Sequence, residues 1–213
     1  MNGFLSAIAV SLRVSFSATL LCVLFGIPLG CTIAVSCFKG KNILLSFLNT
    51  LLAIPTVVVG LFVYFLLCAR SPLGTMRLLF TPSAIIIGQF VLALPIMVIF
   101  SCTAVSSIDK SARETAKTLG ARKTQAFFTL VSEARFGILA AIAATFGRLV
   151  GEVGVSMMLG GNIAGYTRTM TTTIALETSK GEFALGLQLG AALLAIALIV
   201  NFALRYLKGR SVA

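Results

Sequence analysis

Long stretches without a charged residue constrain the fold of this chain more than any other feature. Uncharged runs occupy residues 14–38, 42–69, 78–108 and 183–204, and a fifth apolar stretch, 136–160, carries Arg148 and Glu152. About 20 apolar residues cross a bilayer as a helix, and a charge near the middle of such a helix is costly. The pattern predicts an all-α, polytopic membrane protein with about five transmembrane helices, in which residues 1–213 form a single domain.

The composition excludes a water-soluble globule, because 58% of the residues are hydrophobic and only 11% are charged. A net charge of +11 would suggest nucleic-acid binding in a soluble chain. Basic loops are ordinary at the cytoplasmic face of membrane proteins, so no nucleic-acid partner is expected. The five cysteines are scattered through apolar runs and form no C-x-x-C pair, so we predict that they are small buried hydrophobic residues.

Lysine and arginine residues predict the orientation in the membrane, since basic loops are retained in the cytoplasm. With the N-terminus outside, eleven of the 17 Lys and Arg residues fall in inner segments and five in outer ones, while Arg148 lies within a span. Five spans with the N-terminus out and the C-terminus in are therefore predicted. Pro28, Pro55 and Pro95 fall within the apolar runs and predict kinks there, either as ordinary helix bending or as points of movement.

The stretch SARETAKTLGARKTQAFFTL, residues 111–130, is charged and lies between the predicted third and fourth spans. Ser111 and Glu114 have the spacing of a capping box, and Gly120 can end the helix that follows. One face of this helix is basic and another consists of alanines, which permits close approach by a second surface. The periodicity is also compatible with an amphipathic loop that lies on anionic lipid headgroups.

The same stretch resembles the EAA loop of bacterial ABC importer permeases, through Glu114-Thr-Ala116, Leu119 and Gly120. In that family the loop is a coupling helix that docks on the cytoplasmic ATPase subunit. Ser132-Glu133 stands where the family pattern has Leu-Pro, but residues 131–142 and 147–186 resemble the tungstate-type permeases, and the likeness covers roughly residues 82–205. The resemblance implies a coupling loop at about 109–135, with these contact residues: Arg113, Glu114, Ala116, Leu119, Gly120, Ala121 and Leu130.

Arg148 and Glu152 are four residues apart and share one face of a predicted membrane helix. The pair has two interpretations: it locks neighbouring helices together, or Arg148 acts as a counter-charge in the path of an anion. Gly147, Gly151 and Gly154 on the same segment predict close helix packing, at a dimer interface or within the bundle.

The glycine–threonine segment, residues 160–173, follows this helix and forms part of a predicted pathway region at about 147–178. Its glycines break the helix, and its hydroxyl groups can donate to an anion. The simpler interpretation is an outer loop followed by a capped helix. The predicted pathway or gate residues are Gly160, Gly161, Asn162, Thr167, Arg168, Thr169, Thr171, Thr172 and Thr173. Glu177 and Lys180 are predicted to form a surface pair without a transport role.

Several chemistries have no support in the sequence. It contains no G-x-x-x-x-G-K-[ST] motif, so we expect no ATP site of its own. It contains no histidine and no cluster of acidic residues, so catalytic residues, a metal site and a cofactor are not expected.

The resemblance implies the transmembrane permease subunit of an ATP-driven ABC importer for an oxyanion, tungstate first and molybdate next. Such a subunit would lie in a bacterial or archaeal cell membrane. It would work as a homodimer with two cytoplasmic ABC ATPase subunits and an extracytoplasmic oxyanion-binding protein. The alternatives are a secondary carrier or channel without an ATPase, and a membrane hydrolase, which would need a nucleophile and base that this chain lacks.

Overall fold

The computed structural model describes residues 2–68, 74–108 and 123–209, and every regular element in these ranges is helical. In chain order the elements are α1 (Asn2–Val35), α2 (Lys41–Leu52), α3 (Thr56–Leu67), a 3₁₀ turn (Gly74–Met76), α4 (Pro82–Ser106), α5 (Lys123–Glu133), α6 (Arg135–Val150), α7 (Gly154–Gly160), α8 (Met170–Lys180) and α9 (Phe183–Gly209).

Three of these helices, α1, α4 and α9, are long and apolar enough to cross a membrane. Two bent pairs add up to two more spans: α2 and α3 meet at 98°, and α5 and α6 meet at 63°. Large apolar side chains cover much of the outside, including Leu187, Leu194 and Ile199 on α9. A surface of this kind is suited to lipid rather than water, so the all-α membrane fold predicted from the sequence is confirmed.

The centre of the fold is a tight parallel contact between α1 and α4. Gly26 and Gly30 of α1 are four residues apart and let the two backbones approach closely. A Cβ atom at Gly30 would lie 2.5 Å from the carbonyl oxygen of Val98, and one at Gly26 would lie 2.7 Å from the Cγ of Met97. Only hydrogen fits at these two positions, and we call this contact the α1–α4 seam.

Two of the predicted spans are each divided into two helices. The run 42–69 breaks at Pro55, which precedes α3 and has no N–H to continue the helix of α2. The run 136–160 breaks at residues 151–153, where α6 ends at Val150 and α7 begins at Gly154. Pro28 and Pro95 lie inside continuous helices, so only one of the three prolines at which kinks were predicted, Pro55, coincides with a break.

Close packing around α7 uses glycines from three helices. A Cβ at Gly154 would lie 2.6 Å from the Oγ1 of Thr56, one at Gly60 would lie 3.1 Å from the Cβ of Met158, and one at Gly88 would overlap the side chain of Leu159. The prediction of close packing is thus confirmed for Gly154, within the bundle. A Cβ at Gly147 would meet no atom within 4 Å, so that glycine faces open space.

The prediction of buried cysteines is correct for three of them and wrong for Cys37. Cys22, Cys31 and Cys102 are buried, Cys68 is half-buried and Cys37 is exposed. Cys37 lies in the connection between α1 and α2, where the chain leaves the bundle, and hydrophobicity alone cannot bury a residue outside a packed helix.

Candidate functional site

The break between α6 and α7 is organised around the carboxylate of Glu152. Its Oε2 accepts a hydrogen bond from the Nη1 of Arg148 at 2.7 Å, so the predicted ion pair is present. Its Oε1 accepts the backbone N–H of Val155 at 3.2 Å. That N–H belongs to the first turn of α7 and has no partner within the helix, so the carboxylate satisfies it and opposes the helix dipole.

The two members of this pair have different surroundings. The side chain of Glu152 is 2% exposed, whereas that of Arg148 is 43% exposed. Leaving the carboxylate without its cation would therefore cost more than leaving the guanidinium without its anion. Arg148 shares its outward face of α6 with Ala144, Gly147 and Gly151, which are also exposed, so the face combines small residues with one cation.

Side chains from α4, α7 and α8 also bond to the backbone at the break. The carbonyl oxygen of Glu152 accepts the hydroxyls of Thr171 at 2.8 Å and of Ser156 at 3.3 Å. The amide of Gln89, on α4, donates to the carbonyl oxygen of Leu149 at 3.3 Å, in the last turn of α6. A break in a membrane helix needs such partners, because lipid supplies none.

Gln89 was not predicted from the sequence. The only signal was a single amide in the uncharged run 78–108, and its partner is 60 residues away in the chain. Its Oε1 is buried without a hydrogen-bond partner among the described residues, as is the hydroxyl of Thr145.

The turn between α7 and α8 is shaped by three residues with positive φ: Gly161 (66°), Asn162 (52°) and Gly165 (73°). The helix α7 ends at Gly160 with Gly161 in the left-handed conformation, as the glycines predicted. A Cβ at Gly161 would also lie 2.7 Å from the ring of Phe80, so both the backbone and the space favour glycine there.

Side chains of the same segment hold the turn together. The hydroxyl of Thr167 donates to the carbonyl oxygen of Gly160 at 2.5 Å and accepts the N–H of Ile163 at 3.0 Å. The guanidinium of Arg168 is directed at Asn162: its Nε lies 3.2 Å from the side-chain oxygen and its Nη2 lies 3.2 Å from the backbone oxygen. Arg168 therefore stabilises the left-handed backbone at Asn162.

The helix α8 begins with a capping box, in agreement with the simpler interpretation of a loop followed by a capped helix. The N–H of Thr169 donates to the hydroxyl of Thr172 at 2.9 Å, and the N–H of Thr172 donates to the hydroxyl of Thr169 at 3.3 Å. The next free N–H, at Met170, donates to the hydroxyl of Ser11 on α1 at 2.7 Å, across 159 residues of sequence. Ser11 was missed by sequence reasoning, since nothing local distinguishes it from other serines.

All five predicted threonines are buried and bonded within the protein. Thr173 donates to the carbonyl oxygen of Thr169 at 2.7 Å, and Thr171 donates to Glu152, so α8 is tied to the α6–α7 break. In this conformation the threonine hydroxyls therefore stabilise the fold of the glycine–threonine segment. The predicted surface pair is present as well, with the Nζ of Lys180 3.0 Å from the Oε1 of Glu177.

The predicted coupling residues fall mostly outside the described residues: Arg113, Glu114, Ala116, Leu119, Gly120 and Ala121. Leu130 is described and lies in α5, where it is buried against Cys31, Val105, Ala134 and Ile138. It therefore anchors α5 to the ends of α1 and α4.

The chain is similar in sequence to known transport proteins. Residues 26–211 match the family model described as "Binding-protein-dependent transport system inner membrane component". The chain is 42% identical over 206 residues to a probable anion ABC transporter permease protein of Haloferax volcanii, covering 94% of this chain and 89% of that protein. It is 43% identical over 171 residues to the tungstate uptake system permease protein TupB of Campylobacter jejuni, covering 80% and 72% respectively.

The fold is also similar to a solved structure. A chain of the MetNI methionine ABC transporter, solved in inward-facing conformations, superimposes with a TM-score of 0.81 and covers 99% of this chain and 96% of its own. The identity is only 18%, so this likeness concerns the arrangement of the helices.

Proposed function

Because the chain belongs to the binding-protein-dependent transport system inner membrane component family, we propose that it is the permease subunit of an ATP-driven oxyanion importer. Tungstate is the first candidate and molybdate the next. The observation that carries this proposal is the 43% identity to a tungstate uptake permease over 80% of the chain. A 42% identical relative named as an anion transporter permease supports the same class of solute.

Membership of this family implies separate partners for energy and for capture of the solute. In our proposal two copies of the chain form the pathway, two cytoplasmic ABC ATPases supply the energy, and an extracytoplasmic protein delivers the oxyanion. The loop at about 109–135 is the proposed coupling region, and its residues 109–122 lie outside the described residues.

The glycine–threonine segment is the proposed gate. Its threonines hold the α7–α8 turn in one shape through bonds to Gly160, Thr169 and Glu152. A tetrahedral dianion binds to N–H and O–H donors, while a dense cluster of fixed cations would trap it. A segment with many hydroxyls and one half-buried cation, Arg168, is suited to letting such an ion pass.

The proposed role of Arg148 is to attract the anion on the outward face of α6. Its side chain is 43% exposed even though Glu152 binds it, and its neighbours on that face are small. Arg148 therefore offers positive potential but binds an anion less tightly than an unpaired cation would.

Uptake of radiolabelled tungstate by the reconstituted complex, with ATP and the binding protein, tests the function. We expect uptake that requires ATP, and competition by molybdate that is stronger than competition by sulfate. A preference for sulfate or an amino acid would contradict the substrate assignment. Uptake that continues without the ATPase would instead support a secondary carrier.

The coupling role is tested with Glu114→Lys, which should leave the protein in the membrane but abolish tungstate-stimulated ATP hydrolysis. The matched control is Glu182→Lys, the same charge change in the exposed α8–α9 connection, which should retain stimulation. Equal stimulation in both variants would exclude docking through Glu114.

The gate is tested with Thr169→Val and Thr172→Val together, which remove the capping box of α8. We expect slower tungstate uptake with unchanged affinity of the binding protein. Ser179→Ala, which removes an exposed hydroxyl from the same helix, is the control.

A further inference from the structure

The helix α2 carries a row of polar side chains that no other part of the described protomer covers. Asn42, Ser46, Asn49 and Thr50 are spaced so that they share one face, and we call them the polar arc. All four are exposed, and α2 has no fully buried residue. The opposite face, with Leu44, Leu48 and Leu51, is half-buried.

The polar arc begins at one end of the α1–α4 pair. Because Gly26 lies against Met97 and Gly30 against Val98, α1 and α4 run in the same direction and end on the same side. The Nζ of Lys41, the first residue of α2, donates to the carbonyl oxygens of Ala34 at 2.9 Å and Ser36 at 3.1 Å, and so ties the start of α2 to that end. This is the side predicted to be cytoplasmic.

The other end of the polar arc lies level with the middle of α4. Leu51 and Ile54 line an apolar cavity of about 350 Å³ together with Val91, Leu92 and Pro95. Pro95 is at the centre of α4, whose residues Pro82–Ser106 form a candidate span. The helix α2 therefore runs from the predicted cytoplasmic end of α4 to its midpoint, which brings Asn49 and Thr50 close to the bilayer centre.

Polar side chains at that depth need partners that lipid cannot provide. Asn49 and Thr50 donate back to carbonyl oxygens of their own helix, at 2.8 Å from Leu45 and 2.9 Å from Ser46. Those bonds leave the side-chain oxygens of both residues and one N–H of Asn49 without a partner among the described residues. Asn42 and Ser46 likewise have no side-chain partner there. Water would satisfy all of these groups.

We propose that the polar arc of α2 lines a water-filled cytoplasmic half of the pathway and donates hydrogen bonds to the hydrated oxyanion. The inference rests on the proposed function for the identity of the ion. The arc offers amide and hydroxyl groups without a charge, and the ammonium of Lys41, at the start of α2, is occupied by backbone carbonyls. Neutral donors can replace part of the ion's hydration and still release it.

Single-cysteine labelling of the assembled complex in inside-out vesicles tests the proposal, with the five native cysteines replaced. Ser46→Cys and Asn49→Cys are compared with Ile43→Cys and Phe47→Cys, which lie on the adjacent apolar and exposed face of α2. A charged maleimide should react at least about tenfold faster in the polar arc, because a thiol in water ionises and one in lipid does not.

The nucleotide state separates a pathway from a helix lying on the membrane surface. Trapping the ATPases in the ATP-bound state should slow labelling of Asn49→Cys several-fold and leave Asn42→Cys, at the mouth, little changed. Labelling of Asn49→Cys as slow as that of Phe47→Cys would overturn the proposal, since lipid or a second copy then covers the arc. Fast labelling of Asn42→Cys and Asn49→Cys that does not depend on nucleotide would also overturn the proposal, in favour of a helix on the membrane surface.

Transport provides the second readout. Asn49→Leu should slow ATP-dependent tungstate uptake several-fold, whereas Phe47→Leu should not, and equal uptake by the two variants would overturn a contact with the ion. The labelling rates do not depend on which solute is carried. If the complex imports another solute while the arc is labelled rapidly, the oxyanion assignment fails and the water-lined arc stands.

Discussion

The α1–α4 seam and the α6–α7 break stabilise the same bundle by opposite means. In the seam two unbroken helices meet through Gly26 and Gly30, and the backbones are in direct contact. In the break the helix is interrupted, and side chains of Glu152, Gln89 and Thr171 supply the missing hydrogen bonds.

The two regions should therefore respond differently to substitution. A bilayer gives little hydrophobic driving force between helices, so the seam depends on shape and admits no larger side chain. The break depends on a network of polar bonds, in which each bond can be removed separately at a moderate cost.

Breaking the seam should have the largest effect. Gly30→Leu places a side chain against the carbonyl oxygen of Val98, which cannot move aside, and should cost about 3 kcal/mol or more of stability. Fluorescence size-exclusion chromatography and thermal unfolding in detergent measure the loss. Gly3→Leu is the control on the same helix, because a Cβ there meets no atom within 4 Å. Equal yields from both variants would contradict the tight seam.

Removing the cation of the break should have the next largest effect. Arg148→Met leaves the buried Glu152 carboxylate without its ion pair and should cost about 2 kcal/mol, below the range for fully buried pairs because Arg148 is 43% exposed. The melting temperature of the purified protein measures this.

A double variant, Arg148→Met with Glu152→Gln, serves as the matched control. It removes both charges and keeps an acceptor for the N–H of Val155, so most of the stability should return. A double variant that is less stable than Arg148→Met alone would show that the carboxylate is not the source of the cost. If the double variant folds but does not transport, Arg148 belongs to the pathway.

Removing one neutral hydroxyl group at the break should have a smaller effect. The hydroxyl of Thr171 bonds to the carbonyl oxygen of Glu152 and also lies 3.0 Å from the hydroxyl of Thr169. Thr171→Val keeps the shape of the side chain but loses the hydroxyl that donates to Glu152 at 2.8 Å, and should cost about 1 kcal/mol. Thr32→Val, on the exposed side of α1, is the control. Thermal unfolding that is equally affected in both would indicate that the α8 contact contributes nothing to the break.

A change outside both regions provides the baseline. Lys180→Met removes the ion pair with Glu177, and because the lysine is 52% exposed the cost should stay below about 0.5 kcal/mol. Uptake should also be unchanged. A large loss of stability or transport would mean that the end of α8 belongs to the same network as the break.

Local patterns in the sequence determined several features of this protein. The uncharged runs predicted a helical membrane protein, and the i,i+4 spacing predicted the pair of Arg148 and Glu152. The glycines predicted the end of α7, and the cap of α8 was one of the two interpretations of the threonines. Each of these depends on residues within a few positions of one another, so periodicity and turn chemistry were sufficient.

Only the tertiary structure decided where the run 136–160 breaks and what satisfies the broken ends. The run 136–160 was predicted to be one span. In the structure α6 ends at Val150, where Gln89 on α4 donates to the carbonyl oxygen of Leu149. Ser11 on α1 completes the cap of α8. The sequence did not show which face of α2 is covered, so its polar side chains could be interpreted only from the packing. A hydrogen bond across 60 or 159 residues leaves no periodic trace in the sequence, because any serine or glutamine can form it once the helices meet.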